Sequence, residues 1–282
     1  MGVVNTNKWL QQYCQSVKKA NTREQQFKAQ CDMLIKPMIE QNVFKEHPHP
    51  IELHQYLLGQ GLFHPDVDIV NTIEKFEEKR VWEIVERQFR YLKKKWHGPD
   101  VHIFIFPVEE RNEMIMKHLG KKMGIGFTEK IILFLSATTT KKEIEALVTH
   151  EYHHVCRLRF EKNDESELTL LDSLLIEGLA EKAVEEELGK EMNAIWTSIY
   201  TDDVLVYWWD YLFKARLTVK GRKNHNPYLF GHRGLGWPQW IGYALGYAIV
   251  DECAKRDEKN SKELLGMSAK EIIKNTSFET ET

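Results

Sequence analysis

His150-Glu151-Tyr152-His153-His154 constrains this chain more than any other stretch, because that order of side chains has a chemical use only on a helix. Residues four apart project from one helical face, so His150 and His154 are placed to hold one zinc ion, and Glu151 stands beside the first imidazole to polarise a water. The flanks supply the helix. Thr140-Lys-Lys-Glu143 matches a capping box, and Ile144, Leu147, Val148, Val155 and Leu158 recur at three- and four-residue steps. The spacing predicts a helix over 141–159 in which Leu147, His150, Glu151, His154 and Leu158 form one inward-facing stripe. His153 falls about 100° away from the ligand face and reads as a neighbour.

A hydrolytic zinc site takes three protein ligands and leaves one position for water. Val155-Cys-Arg-Leu-Arg-Phe160 offers neither the glycine nor the third histidine that would extend the motif in metzincins, so that class is excluded. Cys156, two residues past His154, turns to the far side of the helix and reads as packed. The third ligand is sought after the polar loop at 161–164, in a second amphipathic helix expected over 166–188. There Leu168, Leu171, Leu174, Leu175, Leu179 and Ala183 surround Glu177 and Glu181, so at least one carboxylate faces inward. Glu177 is the better candidate ligand, since a helix folding back antiparallel would aim it at the metal. Glu181, one turn on, is a candidate to accept the free ring N–H of a ligand histidine.

The rest of the chain frames these two helices. Residues 1–97 read as a helical region without a motif, with His47-Pro-His-Pro50 as a loop or helix entry. After the breaker Gly98-Pro-Asp100, strands are expected at 101–107 and 131–136, with a loop or short strand at 123–130. Further helices are expected at 202–217 and 239–256, separated by a glycine- and proline-rich loop at 221–238, and Ser268-Ala-Lys-Glu271 caps a short last one. The aromatic run Tyr207 to Phe213 is expected in the core. The organisation is a helical region, 1–97, followed by a catalytic domain, 98–282, in an α+β fold with a small sheet just before the motif helix.

Balanced charge, a formal −3 over 282 residues, implies no polyanion-binding surface and argues against nucleic acid as a partner. Four scattered cysteines without a pair spacing fit a reducing compartment, and a cytoplasmic location is expected. No apolar run approaches the about 20 residues needed to span a bilayer.

His150-Glu-Tyr-His-His154 followed by Ile176-Glu-Gly-Leu-Ala-Glu181 resembles the paired motifs of gluzincin metallopeptidases. With Pro238-Gln-Trp-Ile-Gly-Tyr-Ala-Leu-Gly-Tyr247, the chain is more closely similar, over about 100–280, to the YjaZ-type family of predicted zinc-dependent proteases. The resemblance implies a zincin-like fold, a peptide or protein substrate, zinc held by His150, His154 and Glu177, and Glu151 as general base for a metal-bound water. Isoleucine stands where the gluzincin motif has asparagine before its glutamate. The resemblance also implies a substrate backbone held along a sheet edge, for which 131–136 is the candidate, and a Tyr or His that stabilises the oxyanion. Tyr243 is the first choice for that donor and His232 the second, although the Gly-x-x-x-Gly around Tyr243 also suits tight helix packing alone. Two other readings stay open: a catalytically silent module that keeps zinc for structure or regulation, and a buried polar network without an ion.

Overall fold

The computed structural model describes residues 1–44, 47–161 and 166–280. The chain divides into two compact units, Met1–Glu151 and Tyr152–Thr282, with the division inside the motif helix.

The first unit opens with a two-residue strand, β1 (Gly2–Val3), and continues through α1 (Thr6–Val17), α2 (Arg23–Gln30), a π-helical turn at Cys31–Ile35, α3 (Lys36–Ile39), α4 (Pro50–Gln60), α5 (Val70–Glu78) and α6 (Val81–Trp96). The His-Pro-His-Pro segment is the entry expected: His49 is the N-cap and Pro50 takes the first turn of α4, where its missing N–H costs nothing. The domain boundary expected at 97 lies where His97, in the left-handed conformation, closes α6. Then come β2 (His102–Pro107), α7 (Glu113–His118), β3 (Lys122–Gly126), β4 (Lys130–Leu135) and α8 (Lys141–Glu161).

The strands form one mixed sheet in the order β1-β2-β4-β3, with β3 alone antiparallel to its neighbour. Within the mostly helical amino-terminal region, β1 joins the sheet beside β2; two residues are too few to leave a periodic signal. One expectation is corrected. The segment 131–136 is not a sheet edge, because β4 lies between β2 and β3, and its six residues are all buried. A strand covered on both faces reads as an unbroken apolar run, whereas the edge strand β3 is half-exposed and carries two glycines.

The pleat sorts the edge strand's side chains. Met123 and Ile125 pair with Phe134 and Ile132 and join the core made with Phe104, Phe106, Leu10, Tyr13 and Leu57. Lys122, Gly124 and Gly126 point to the opposite face.

A buried histidine gives the first unit a pH dependence. His54 is wholly buried, with Nε2 at 2.5 Å from Gln30 Oε1 and its ring 4.0 Å from that of Phe27. Burial, assisted by the positive field of His64, pushes its pKa down to about 4. A free histidine titrates near 6.5, so the folded state binds fewer protons and the stability His54 confers is complete above that pH. It is lost as pH falls from 6.5 to 4, by about 2–3 kcal/mol at the lower end. Urea denaturation at pH 7 and pH 4.5 is expected to show that loss in wild type and a smaller one in His54→Gln; parallel profiles would refute the assignment.

The second unit contains α9 (Leu170–Leu188), α10 (Asp202–Trp208) running into a π-helical turn at Trp209–Phe213, α11 (Arg222–Phe230), α12 (Ile241–Asp257), α13 (Ser261–Leu265) and α14 (Ala269–Ile273). The capping box expected at Ser268 is present. The loop expected at 221–238 is in part the helix α11, disguised by Pro227 inside it and by the glycines on either side. The aromatic run is core only in part: Trp209 and Phe213 are buried, but Tyr207 and Tyr211 stack at 5.8 Å on the exposed face one turn apart. The polar loop expected at 161–164 falls outside the described residues apart from Glu161, the last residue of α8.

Helices α9 and α12 approach so closely that backbone meets backbone. A Cβ on Gly178 would lie 2.0 Å from the Gly246 carbonyl oxygen, and one on Gly246 2.0 Å from that of Leu174. Among the described residues, no helix is long and apolar enough to cross a membrane.

Candidate metal centre

The motif helix begins where the capping residues put it. Thr140 N donates to Glu143 Oε2 at 2.7 Å, and Glu143 N returns a bond to Thr140 Oγ1 at 3.4 Å. Burial raises the Glu143 pKa, but the Thr140 donors and the nearby Lys122 and Lys121 outweigh it and hold the carboxyl below its usual range. Ile144, Val148, Tyr152 and Val155 bury one face of α8. Further along, Thr149 Oγ1 donates to Glu145 O and accepts from Gln88 Nε2, which fixes the turn just before His150.

On this helix His150 is half-buried, while Glu151 and His154 are buried. The second helix, α9, starts at a capping box between Thr169 and Asp172, so its first turn comes later than position 166. Two turns in, Glu177 is buried among leucines, and its Oε2 lies 3.3 Å from His154 Nε2. One ligand atom each from His150, His154 and Glu177 fall within 4.8 Å of one another. Two imidazoles and one carboxylate at that spread suit a zinc ion, whose bonds to nitrogen and oxygen are each about 2 Å long. Three donors also leave a fourth tetrahedral position open.

Residues 81–274 match the family described as "Predicted Zn-dependent protease (DUF2268)". Of the curated proteins, the uncharacterized YjaZ of Bacillus subtilis (strain 168) is 35% identical over 218 residues, spanning 77% of this chain and 83% of that one. The uncharacterized YjfC of the same organism is 29% identical over 138 residues, 46% of each chain. No solved structure matches the chain. The chain belongs to this family of predicted zinc-dependent proteases. The family segment starts at the first residue of α6, some twenty residues ahead of the resemblance read from the motifs, and contains the whole His-His-Glu cluster.

The other candidates within the family segment lie as follows. Glu181 is buried, and its Oε2 accepts the Ala194 amide at 2.8 Å, so it ties α9 to the turn that follows it. Tyr243 packs its ring against Trp196, Phe230 and Trp240 with centroids 5.0–5.4 Å apart. His232 sits in an exposed turn whose backbone bridges to Trp237. The small residues around Tyr243 serve close packing: Gly242 lies against the Tyr228 carbonyl and Gly246 against Leu174. His153 is fully buried next to His154 in the chain. Burial pushes the Cys156 thiol up to about 12 despite the Tyr152 hydrogen bond and Arg159, which leaves it protonated and poorly nucleophilic.

Two residues escaped the sequence reading. Arg222, at the start of α11, brings Nη2 to 3.8 Å from Glu177 Oε1, the oxygen not turned to His154. No periodicity marks it, since its helix is hidden in a glycine- and proline-rich stretch. Arg157, one turn after His153, is buried and donates to the carbonyls of Leu265 at 2.9 Å and Met267 at 2.6 Å, and it pairs with Glu161. It looks like one more charged residue in a polar stretch, and only the fold shows that it reaches the carboxyl-terminal segment.

Proposed function

We propose that the protein is a zinc-dependent peptidase of zincin-like, gluzincin type, acting on a peptide or protein in the cytoplasm, with 98–282 as the catalytic region after the helical region 1–97. The observation that carries this reading is the convergence of His150, His154 and Glu177 with Glu151 adjacent to the first ligand. When bound, zinc supplies Lewis acidity, polarising a substrate carbonyl and lowering the pKa of water towards neutrality.

The chain's own residues supply the rest. His150, His154 and Glu177 hold the ion, and α8 fixes the two histidines one turn apart. The Glu151 carboxylate accepts a proton from the attacking water and returns it to the leaving amine. Arg222 beside Glu177 orients that carboxylate, and Glu181 stays the proposed acceptor for the free ring N–H of a ligand histidine. The edge strand β3 is the place for a substrate backbone to pair, because β4 has neighbours on both sides. Tyr243, with His232 as second choice, remains the proposed oxyanion donor.

The test is metal analysis of the purified protein together with cleavage of a mixed peptide library before and after chelation. One zinc per chain and cleavage that disappears with chelator and returns with zinc would support the peptidase. Zinc without cleavage would favour a silent binding module, and absence of zinc affinity would sink both readings.

A further inference from the structure

We infer that Gly124, in the edge strand β3, is a positioning residue that sets where the Glu151 carboxylate stands. The functional weight of this inference rests on the reading of Glu151 as the base. A Cβ on Gly124 would lie 2.4 Å from Glu151 Cγ, 2.5 Å from Cδ and 2.5 Å from Oε1. Carbon atoms in contact need about 3.5 Å, so even one methyl group and this carboxylate cannot share the space. The glycine is not demanded by backbone conformation, for Gly124 is absent from the positions of positive φ. It is demanded by its neighbour.

The two elements that carry the pair are both held. Residues 122–126 pair with 131–135 of β4, Gly124 opposite Leu133, and α8 is pinned just before Glu151 by the Gln88–Thr149 bond. Two turns earlier on α8, Glu143 feels the charge of Lys122, which shares the face of β3 that carries Gly124. Strand and helix are thus each held by partners of their own, and what yields to a side chain at 124 is the Glu151 carboxylate rather than either backbone. Glu151 is 5% exposed, so its displaced carboxylate has little room near its present place. A base must lie within hydrogen-bond reach of the proton it takes, and a misplacement of about 1 Å is enough to cost about a hundredfold in rate. His150, His154 and Glu177 are not among the nearest atoms that such a methyl group would meet.

The experiment is Gly124→Ala in the full chain, alone and combined with Glu151→Ala. In the zinc-loaded single variant, zinc content is expected to stay at one per chain, with kcat down about a hundredfold and KM within about threefold of wild type. In thermal melts, Gly124→Ala should lower Tm by about 4–8 °C when Glu151 is present, and by less than about 1 °C in the Glu151→Ala background, where the truncated side chain vacates the space. If the single variant does not fold, recovery of folding in the double variant supports the inference. Equal Tm losses in both backgrounds, failure of both to fold, or a wild-type kcat in Gly124→Ala would overturn it. If the wild type cleaves no peptide, the peptidase reading fails by itself, while the melts still decide whether Gly124 acts on Glu151.

Discussion

Glu151→Gln is expected to keep zinc at one per chain and to lower kcat for peptide cleavage by about a thousandfold or more. Glutamine has the shape of glutamate and fits the same buried space, so the three ligands keep their arrangement. What it lacks is a basic oxygen, and proton transfer has no other assigned acceptor on this stretch of α8. His154→Ala gives the opposite pattern, with metal and activity lost together, because it removes one of three donors and leaves the buried Glu177 carboxylate facing a void. Metal analysis and steady-state kinetics on the two variants separate the roles. Zinc loss in Glu151→Gln, or cleavage near the wild-type rate, would show that Glu151 has been given the wrong part.

Gly178→Ala should be among the most damaging single-methyl changes in the second unit. Its Cβ would sit 2.0 Å from the Gly246 carbonyl oxygen and 2.3 Å from the carbonyl carbon, and these are backbone atoms in the middle of α12 with nowhere to turn. The helices must separate, which uncovers the leucines around Glu177, and a cost of about 3–5 kcal/mol follows from overpacking combined with lost burial. Gly59→Ala is the control. Gly59 also lies within a helix, but nothing would stand within 4 Å of its Cβ, so alanine there should stabilise by about 0.5–1 kcal/mol. Urea midpoints decide the matter, and a loss below about 1 kcal/mol for Gly178→Ala would mean that the two helices can part cheaply. Zinc affinity should fall in parallel, since Glu177 is the preceding residue.

The motif helix and its partner were legible because local rules and long-range packing agree there. Thr140 and Glu143 cap α8 as read, the stripe from Leu147 to Leu158 turns inward, and Glu177 lies on a helix whose leucines are buried. Sheet order was not legible. Nothing in Ile131 to Ser136 says whether a second strand flanks it, and the half-exposed strand that does so, Lys122–Gly126, has the glycine content of a loop. Arg222 was hidden for a related reason: a helix of nine residues with a proline inside has no clear period. The capping box at Thr169, which shortens α9 at its start, was readable in Thr169-Leu-Leu-Asp172 but lay inside a longer run of leucines that already looked helical.

The buried guanidinium of Arg157 makes the segment around Leu265 and Met267 a structural component of the motif helix. Its hydrogen bonds to the Leu265 and Met267 carbonyls are made three residues after His154, by a part of the sequence more than a hundred positions away. Trimming the last helices would therefore strand a cation inside the fold, one turn from His154, with both of its carbonyl acceptors gone. A protease that nicks this tail would act on the His-His-Glu cluster without touching any of its three residues.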